Sequence, residues 1–317
     1  MKIAFAGKGG SGKTTLSSLF VRHLAARGMP VVAIDADINQ HLAEALGAVV
    51  PPPMGARLPE IKEYLRGTNP RISSAAAMVK TTPPGRGSRL LRPGGDDPVH
   101  ALAAATPCGA RLLAAGPFQD GDLGVSCYHA KTGAVELYLN HLVDGPGEYV
   151  VVDCTAGADS FASGLFTRFD LTIVVAEPTR KGIGVYRQWL EYSAGYGVVL
   201  AVAGNKIQAE QDVAFLRKHA GDHLLTWMGY EPAVRAAEQG CAFDVHDLSQ
   251  ATRNALRAIQ DRLDAQPRDW DTYTSQATDF HLRNARSWAS AAAGEDLAAQ
   301  IDPSFVLGPH ALAAAAI

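Results

Sequence analysis

Apolar positions along this chain come in two forms that alternate. Short unbroken runs cover residues 2–6, 30–37, 111–116, 149–153, 171–176, 198–206 and 224–228, and between several of them apolar residues recur every three or four positions. Unbroken runs of this length predict strands covered on both faces, and the three-to-four periodicity predicts helices. The clearest helix is 15–24, where Leu16, Leu19, Phe20, Val21 and Leu24 share one side. Strands separated by helices predict an α/β fold: a mostly parallel sheet with helices on both faces. In such sheets ligands gather at the carboxyl ends of strands, where this pattern places Asp37, Asp153 and Asn205.

Two segments leave this rhythm. Residues 51–110 are rich in Pro, Gly and Arg, as in Thr82-Pro83-Pro84-Gly85-Arg86-Gly87 and Arg92-Pro93-Gly94-Gly95. They predict an insertion with a short helix near residues 61–65 and a mobile loop, with Arg86, Arg89 and Arg92 solvated. Beyond Pro267 a helix is predicted over 269–293, with Trp270, Tyr273, Phe280 and Trp288 available for packing on the core or on a second copy. The division is thus residues 1–264 as one domain and 265–317 as a helical, Ala-rich extension.

The chemistry is most explicit at Gly7-Lys8-Gly9-Gly10-Ser11-Gly12-Lys13-Thr14, between the first predicted strand and the first predicted helix. This is the G-x-x-x-x-G-K-[ST] spacing of a phosphate-binding P-loop. Backbone N–H groups from Gly9 through Gly10, Ser11, Gly12 and Lys13 to Thr14 and Thr15 would face the phosphates, aided by the positive end of the helix. Lys13 would reach the β- and γ-phosphates, and Thr14 would bind Mg²⁺.

Composition sets outer limits. The chain has 317 residues and a net charge of −3, which gives no sign of a general nucleic-acid binder. Its four scattered cysteines suit a reducing cytosol. No apolar run approaches the roughly twenty residues of a membrane span. A chain entering its first strand after one lysine predicts no signal peptide, and the expected location is cytoplasmic.

At this point the residues resemble a family. Lys8-Gly9-Gly10-Ser11-Gly12-Lys13-Thr14-Thr15 resembles the K-G-G-x-G-K-T-T of deviant P-loop ATPases: the MinD/ParA proteins, the nitrogenase iron protein and the CooC-type ATPases that insert nickel into carbon monoxide dehydrogenase. Ile34-Asp35-Ala36-Asp37-Ile38-Asn39 followed by Leu42-Ala43-Glu44-Ala45-Leu46-Gly47 is similar to the CooC-type D-A-D-P-N…L-A-E-x-L-G, with Ile38 where proline is usual. Gly204-Asn205-Lys206 resembles the adenine-contacting G-N-K. The resemblance covers residues 1 to about 262 and omits most of 51–110 and the tail.

The resemblance implies an ATP- and Mg²⁺-dependent homodimeric switch. Lys8 would cross the dimer interface to the partner's nucleotide, and Asp37 would orient the attacking water. Asp153 would hold Mg²⁺ through water and, with Gly157, sense the γ-phosphate. Asn205 would hydrogen-bond adenine, and the Glu231-Pro232 loop would cover the base. The implied partners are a second copy and a client metalloenzyme or other protein, with no membrane. Alternatives are a ParA/MinD-like positioning or cargo switch without metal, an iron-protein-like reductase, and a metabolic kinase or ligase.

Gly124-Val125-Ser126-Cys127-Tyr128-His129 resembles the cysteine segment of the iron protein and the CooC-type C-x-C, with His129 in place of the second cysteine. Two Cys127/His129 half-sites across a two-fold axis would give an S₂N₂ set suited to Zn²⁺ or Ni²⁺. The alternative is a buried thiol beside a surface imidazole. The iron protein's second cluster cysteine would fall near Ser160, which disfavours a four-cysteine cluster; Cys154 reads as a small packed residue.

Overall fold

A computed structural model describes residues 1–117, 129–241 and 243–315, apart from the side chains of residues 129–130 and 313–315. Eight strands form one sheet: β1 (Lys2–Gly7), β2 (Val31–Ala36), β3 (Ala104–Ala105), β4 (Arg111–Ala114), β5 (Tyr149–Cys154), β6 (Leu171–Ala176), β7 (Leu200–Ile207) and β8 (Leu224–Gly229). Their order is β3-β4-β2-β5-β1-β6-β7-β8. All neighbours run parallel except the edge pair β3–β4. The two-residue β3 has no counterpart among the predicted strands, because two residues are too few to set a hydrophobic period.

Alternate residues on each strand face opposite cores. Ile3, Phe5, Ala33, Val151 and Ile173 pack with α1 (Lys13–Ala25), α2 (Leu42–Leu46) and α8 (Gln250–Asp264). On the other face Ala4, Val32, Ile34, Val150 and Val152 pack with α3 (Leu58–Arg66) and α4 (His129–His141). Ala6, Val174 and Val202 pack with α5 (Arg180–Tyr192) and α6 (Glu210–Ala220). The short α7 (Pro232–Glu238) follows β8. Buried strands sandwiched this way have no solvated face, which is why their sequences read as continuous apolar runs.

The segment expected to hold a mobile loop is packed, although it contains the predicted short helix as α3. Residues 81–85 are buried. Thr82 Oγ1 donates to Gln300 Oε1 at 3.0 Å, Gln300 Nε2 donates to Ala77 O at 3.1 Å, and Arg86 Nε pairs with Asp302 at 2.9 Å. The partners lie more than two hundred residues away in the tail, beyond the reach of local pattern. Arg86, Arg89 and Arg92 are exposed, as expected, although two of them also make surface ion pairs, Arg86 with Asp302 and Arg92 with Glu148 at 2.9 Å.

The tail itself is bound to the body by a buried charge cluster. Lys2 Nζ lies 2.8 Å from Asp144 Oδ1, and Arg268 pairs with both Asp144 and Asp170. The helix α9 (Trp270–Asn284) covers this cluster, with Lys2 Nζ 4.6 Å from the Tyr273 ring centre and Arg268 4.6 Å from that of Trp270. Tyr273 donates to Leu139 O at 2.8 Å. Of the four tail aromatics singled out in the sequence, Trp270, Tyr273 and Phe280 pack on the body as anticipated, whereas Trp288 stays exposed.

Candidate nucleotide site

The site is built where β1 ends. Gly7 has φ +150°, and a Cβ there would stand 2.5 Å from Val175 O and 2.7 Å from Ser11 Oγ, so only glycine lets the chain turn between β6 and its own loop. Gly12 has φ +94°, and its Cβ would stand 2.1 Å from Asn205 Nδ2. The helix α1 then starts at Lys13 with no side-chain cap and no acidic residue in its first turn. Its N-terminal N–H groups and positive dipole end are left to an anion.

Parallel pairing of β1, β2 and β5 brings three carboxylates next to this loop. Asp35 sits in register with Asp153, and Phe5 pairs with the same residue from the other side. Lys13 is buried, with Nζ 3.6 Å from Asp37 Oδ2. Asp37 is fixed through its other oxygen, which accepts from Asn39 N at 3.0 Å and Asn39 Nδ2 at 3.2 Å. Gln40, at φ +53°, donates to Asp37 O at 2.7 Å and holds the turn.

Asp153 is wholly buried. Its Oδ2 accepts from Thr14 Oγ1 at 2.6 Å, while its Oδ1 has no partner among the described residues. Burial pushes its carboxyl up to about 8, and the charges of Asp35 and Asp37 add to the rise against the Thr14 bond and Lys13. Burial likewise raises Asp35 to about 6, opposed by bonds from the Leu42 and Asp37 N–H groups. An orphaned buried carboxylate oxygen beside a threonine hydroxyl fits a hard divalent cation such as Mg²⁺ whose remaining ligands are phosphate oxygens and water.

The remaining residues singled out in the sequence lie around the same loop. Ser11 Oγ is buried without a partner among the described residues, Gly9 and Gly10 are exposed, and Thr15 is half-buried in the first turn of α1. Gly157 N donates to Gly7 O at 2.9 Å, and Gly157 O accepts from Trp189 Nε1 at 3.1 Å, so this segment ties the P-loop to α5. Asn205 Nδ2 donates to Ser11 O at 2.8 Å, a bond to the loop backbone that the sequence reading lacked. Lys8, 39% exposed, has Nζ 3.2 Å from Gly9 O. Pro232 opens α7 behind Glu231, whose Oε2 accepts from Ser249 and Thr252 at the start of α8.

Sequence reasoning missed Glu177 and the role of Lys206. Lys206 Nζ donates to Gly10 O at 2.7 Å and to Glu177 Oε1 at 2.6 Å. Glu177 follows β6 directly, so the strand-end rule that flagged Asp37 and Asp153 would have found it.

Cys127 lies outside the described residues. His129 is the first residue of α4, and its side chain lies outside them too. Cys108, Cys154 and Cys241 are free, and among the described residues no group of three His, Cys, Asp or Glu side chains could hold a metal ion. Burial, with Asp153 adjacent, pushes the Cys154 thiol up to about 12, in keeping with a packed residue. Among the described residues no helix is long and apolar enough to cross a membrane.

Comparison with known proteins bears on this site. The family profile of the CobQ/CobB/MinD/ParA nucleotide binding domain matches residues 2–264. The carbon monoxide dehydrogenase accessory protein CooC of Rhodospirillum rubrum is 29% identical over 265 residues, covering 83% of this chain and 96% of that protein. An uncharacterized ATP-binding protein of Methanocaldococcus jannaschii is 27% identical, covering 75% of this chain and 88% of its own. Among solved structures, the MinC:MinD cell division complex of Aquifex aeolicus aligns with TM-score 0.53 at 19% identity, over 82% of this chain and 95% of that one. An McdA–ATP complex from Cyanothece aligns with TM-score 0.55 at 16% identity, over 84% and 98%. These structural likenesses speak for the fold.

Proposed function

The chain belongs to the CobQ/CobB/MinD/ParA nucleotide-binding family, and on that premise we propose that it is a Mg²⁺-dependent ATPase that dimerises around ATP and serves metalloenzyme maturation in the manner of CooC. The observation that carries the ATPase reading is the arrangement at the P-loop. Lys13 rests on Asp37, Thr14 rests on Asp153, and the second oxygen of Asp153 is buried without a partner. The maturation reading is supported by the CooC relative and by the sequence around Asp37.

The residues divide the work as follows. Triphosphate enters the ring of N–H groups from Gly9 to Thr15 and draws Lys13 off Asp37 toward its β- and γ-oxygens. Thr14 and, through water, Asp153 would hold Mg²⁺, which would supply charge neutralisation at those oxygens. Asp37, freed of Lys13 but still fixed by Asn39, orients a water in line with the γ-phosphorus. Lys8 reaches across to the partner's nucleotide and meets the charge that develops there. Gly157 couples phosphate occupancy to α5 through its bonds to Gly7 and Trp189. Asn205 steadies the loop through Ser11 and, with the Pro232 turn, flanks the adenine.

The test is metal content per protomer, run with light-scattering mass in the presence and absence of MgATP. One Zn²⁺ or Ni²⁺ per dimer, lost on replacing Cys127 and His129 with alanine, is the expected result. A protein that dimerises with ATP and carries no metal in either form overturns the maturation reading and leaves a ParA-like partner-binding switch. A protein that neither dimerises with nor hydrolyses ATP overturns the whole.

A further inference from the structure

Glu177 has no part in the roles above, yet its position is tightly set. It lies between the end of β6 and the start of α5, and a Cβ added at Gly182 would stand 2.4 Å from the Glu177 carbonyl oxygen. Thr179 caps the same helix by accepting from Gly182 N at 3.0 Å. From this fixed backbone the two carboxylate oxygens face two different lysines. Oε1 accepts from Lys206 at 2.6 Å, and Oε2 stands 4.0 Å from Lys8 Nζ. Lys206 comes from a left-handed backbone at φ +60° and also holds Gly10 O.

The geometry points to Glu177 as a counter-ion that holds Lys8 over its own P-loop and must release it before Lys8 can cross to a partner's nucleotide. This rests on the trans role proposed for Lys8. Glu177 is a positioning residue, and Lys206 is its regulator. Both lysines draw on one carboxylate, and Lys206 takes the shorter contact, so Lys206 limits how firmly Lys8 is held. Two substitutions on the same ion pair therefore have opposite signs. Removing the carboxylate frees Lys8; removing Lys206 gives the carboxylate wholly to Lys8. A merely structural salt bridge would weaken in the same direction from either side.

The experiment measures the dimer dissociation constant with Mg²⁺ and a non-hydrolysable ATP analogue, by light scattering over a dilution series. Nucleotide affinity of the monomer is measured separately, at concentrations below dimerisation. An exposed pair of this kind is worth about threefold per lysine, hence about tenfold for the two lysines of a symmetric dimer. The expected result is a dimer about tenfold tighter in Glu177→Gln and several-fold weaker in Lys206→Met. The double variant should match Glu177→Gln, and the tightening should vanish in a Lys8→Ala background. A Glu177→Gln dimer that is unchanged, or that tightens equally without Lys8, overturns the inference while leaving the trans role of Lys8 standing. A Lys8→Ala dimer as tight as the parent overturns both.

Discussion

Replacing Asp153 with asparagine should stabilise the metal-free protein at high pH and lose that advantage in acid. The carboxyl of Asp153 stands at about 8 in the fold against 3.8 ordinarily, chiefly from burial. The unfolded chain gives up this proton near 3.8 and the folded chain keeps it to about 8. Between those values the folded state binds more protons, so stability falls as pH rises through the window. About 4 units at ~1.4 kcal/mol each set a ceiling of about 6 kcal/mol on what the ionised group costs above pH 8. Asparagine removes that cost and can still accept from Thr14 Oγ1. It places a buried amide N–H where Oδ1 has no partner, which costs about 1–3 kcal/mol. The expected net is a gain of up to about 3–5 kcal/mol at pH 8.5, and a change within about 1 kcal/mol of zero at pH 5, where only about 1.7 kcal/mol of the cost is yet present. Urea unfolding of chelator-treated, nucleotide-free protein, followed by circular dichroism at both pH values, reads the difference. A stability change of the same sign and size at pH 5 and pH 8.5 would refute the reasoning, because it would mean that Asp153 titrates alike in both states. The same variant should lose Mg²⁺-dependent ATP turnover, a stability gain bought with function.

Three further outcomes follow from the same structure. His141 is fully buried, with Nδ1 bonded to Leu137 O at 2.9 Å and its pKa pushed down by burial to about 4, so its neutral form is required for folding and stability drops as pH falls from about 6.5 to about 4. His141→Leu should flatten that part of the pH–stability curve by up to about 3 kcal/mol, and an unchanged acid slope in urea titrations would count against it. Arg268→Met strips the guanidinium from Asp144 and Asp170 inside the tail junction; it should cost about 3–5 kcal/mol and open the tail to protease, whereas parental resistance to limited proteolysis would contradict the junction's importance. Gly12→Ala forces a Cβ to within 2.1 Å of Asn205 Nδ2 at φ +94°, so nucleotide affinity measured by calorimetry should fall by more than tenfold while the circular dichroism spectrum is kept.

What the sequence disclosed, it disclosed through local rules. The unbroken apolar runs located seven of the eight strands because a strand buried on both faces must be apolar at every position. The P-loop was legible because phosphate chemistry fixes both its glycines and its lysine within eight residues. Asp37, Asp153 and Asn205 were found by a topological rule, that strand ends collect ligands, and the structure does bring their side chains to Lys13, Thr14 and the loop backbone. The packed 81–85 segment and the buried set of Lys2, Asp144, Asp170 and Arg268 were not legible. Each joins residues about a hundred or more positions apart, and a charged residue in isolation reads as surface.

The charges around the P-loop form a set of exchangeable pairs. Lys13 is matched by Asp37, and Lys8 and Lys206 share Glu177, at separations of 3.6, 4.0 and 2.6 Å. None of these lysines is bound by a bidentate or deeply hydrogen-bonded partner of the kind that fixes Arg268. A triphosphate with its cation offers each lysine a stronger acceptor and offers Asp153 the positive charge it lacks. Under the proposed mechanism the two carboxylates left behind would then acquire new work: Asp37 would face the water, and Glu177 would retain Lys206. Binding energy would thereby be drawn from contacts that are weak in the empty site, which would let one ligand change the state of Lys13 and Lys8 at once. A site whose lysines were already held by strong partners would bind the same nucleotide without switching anything.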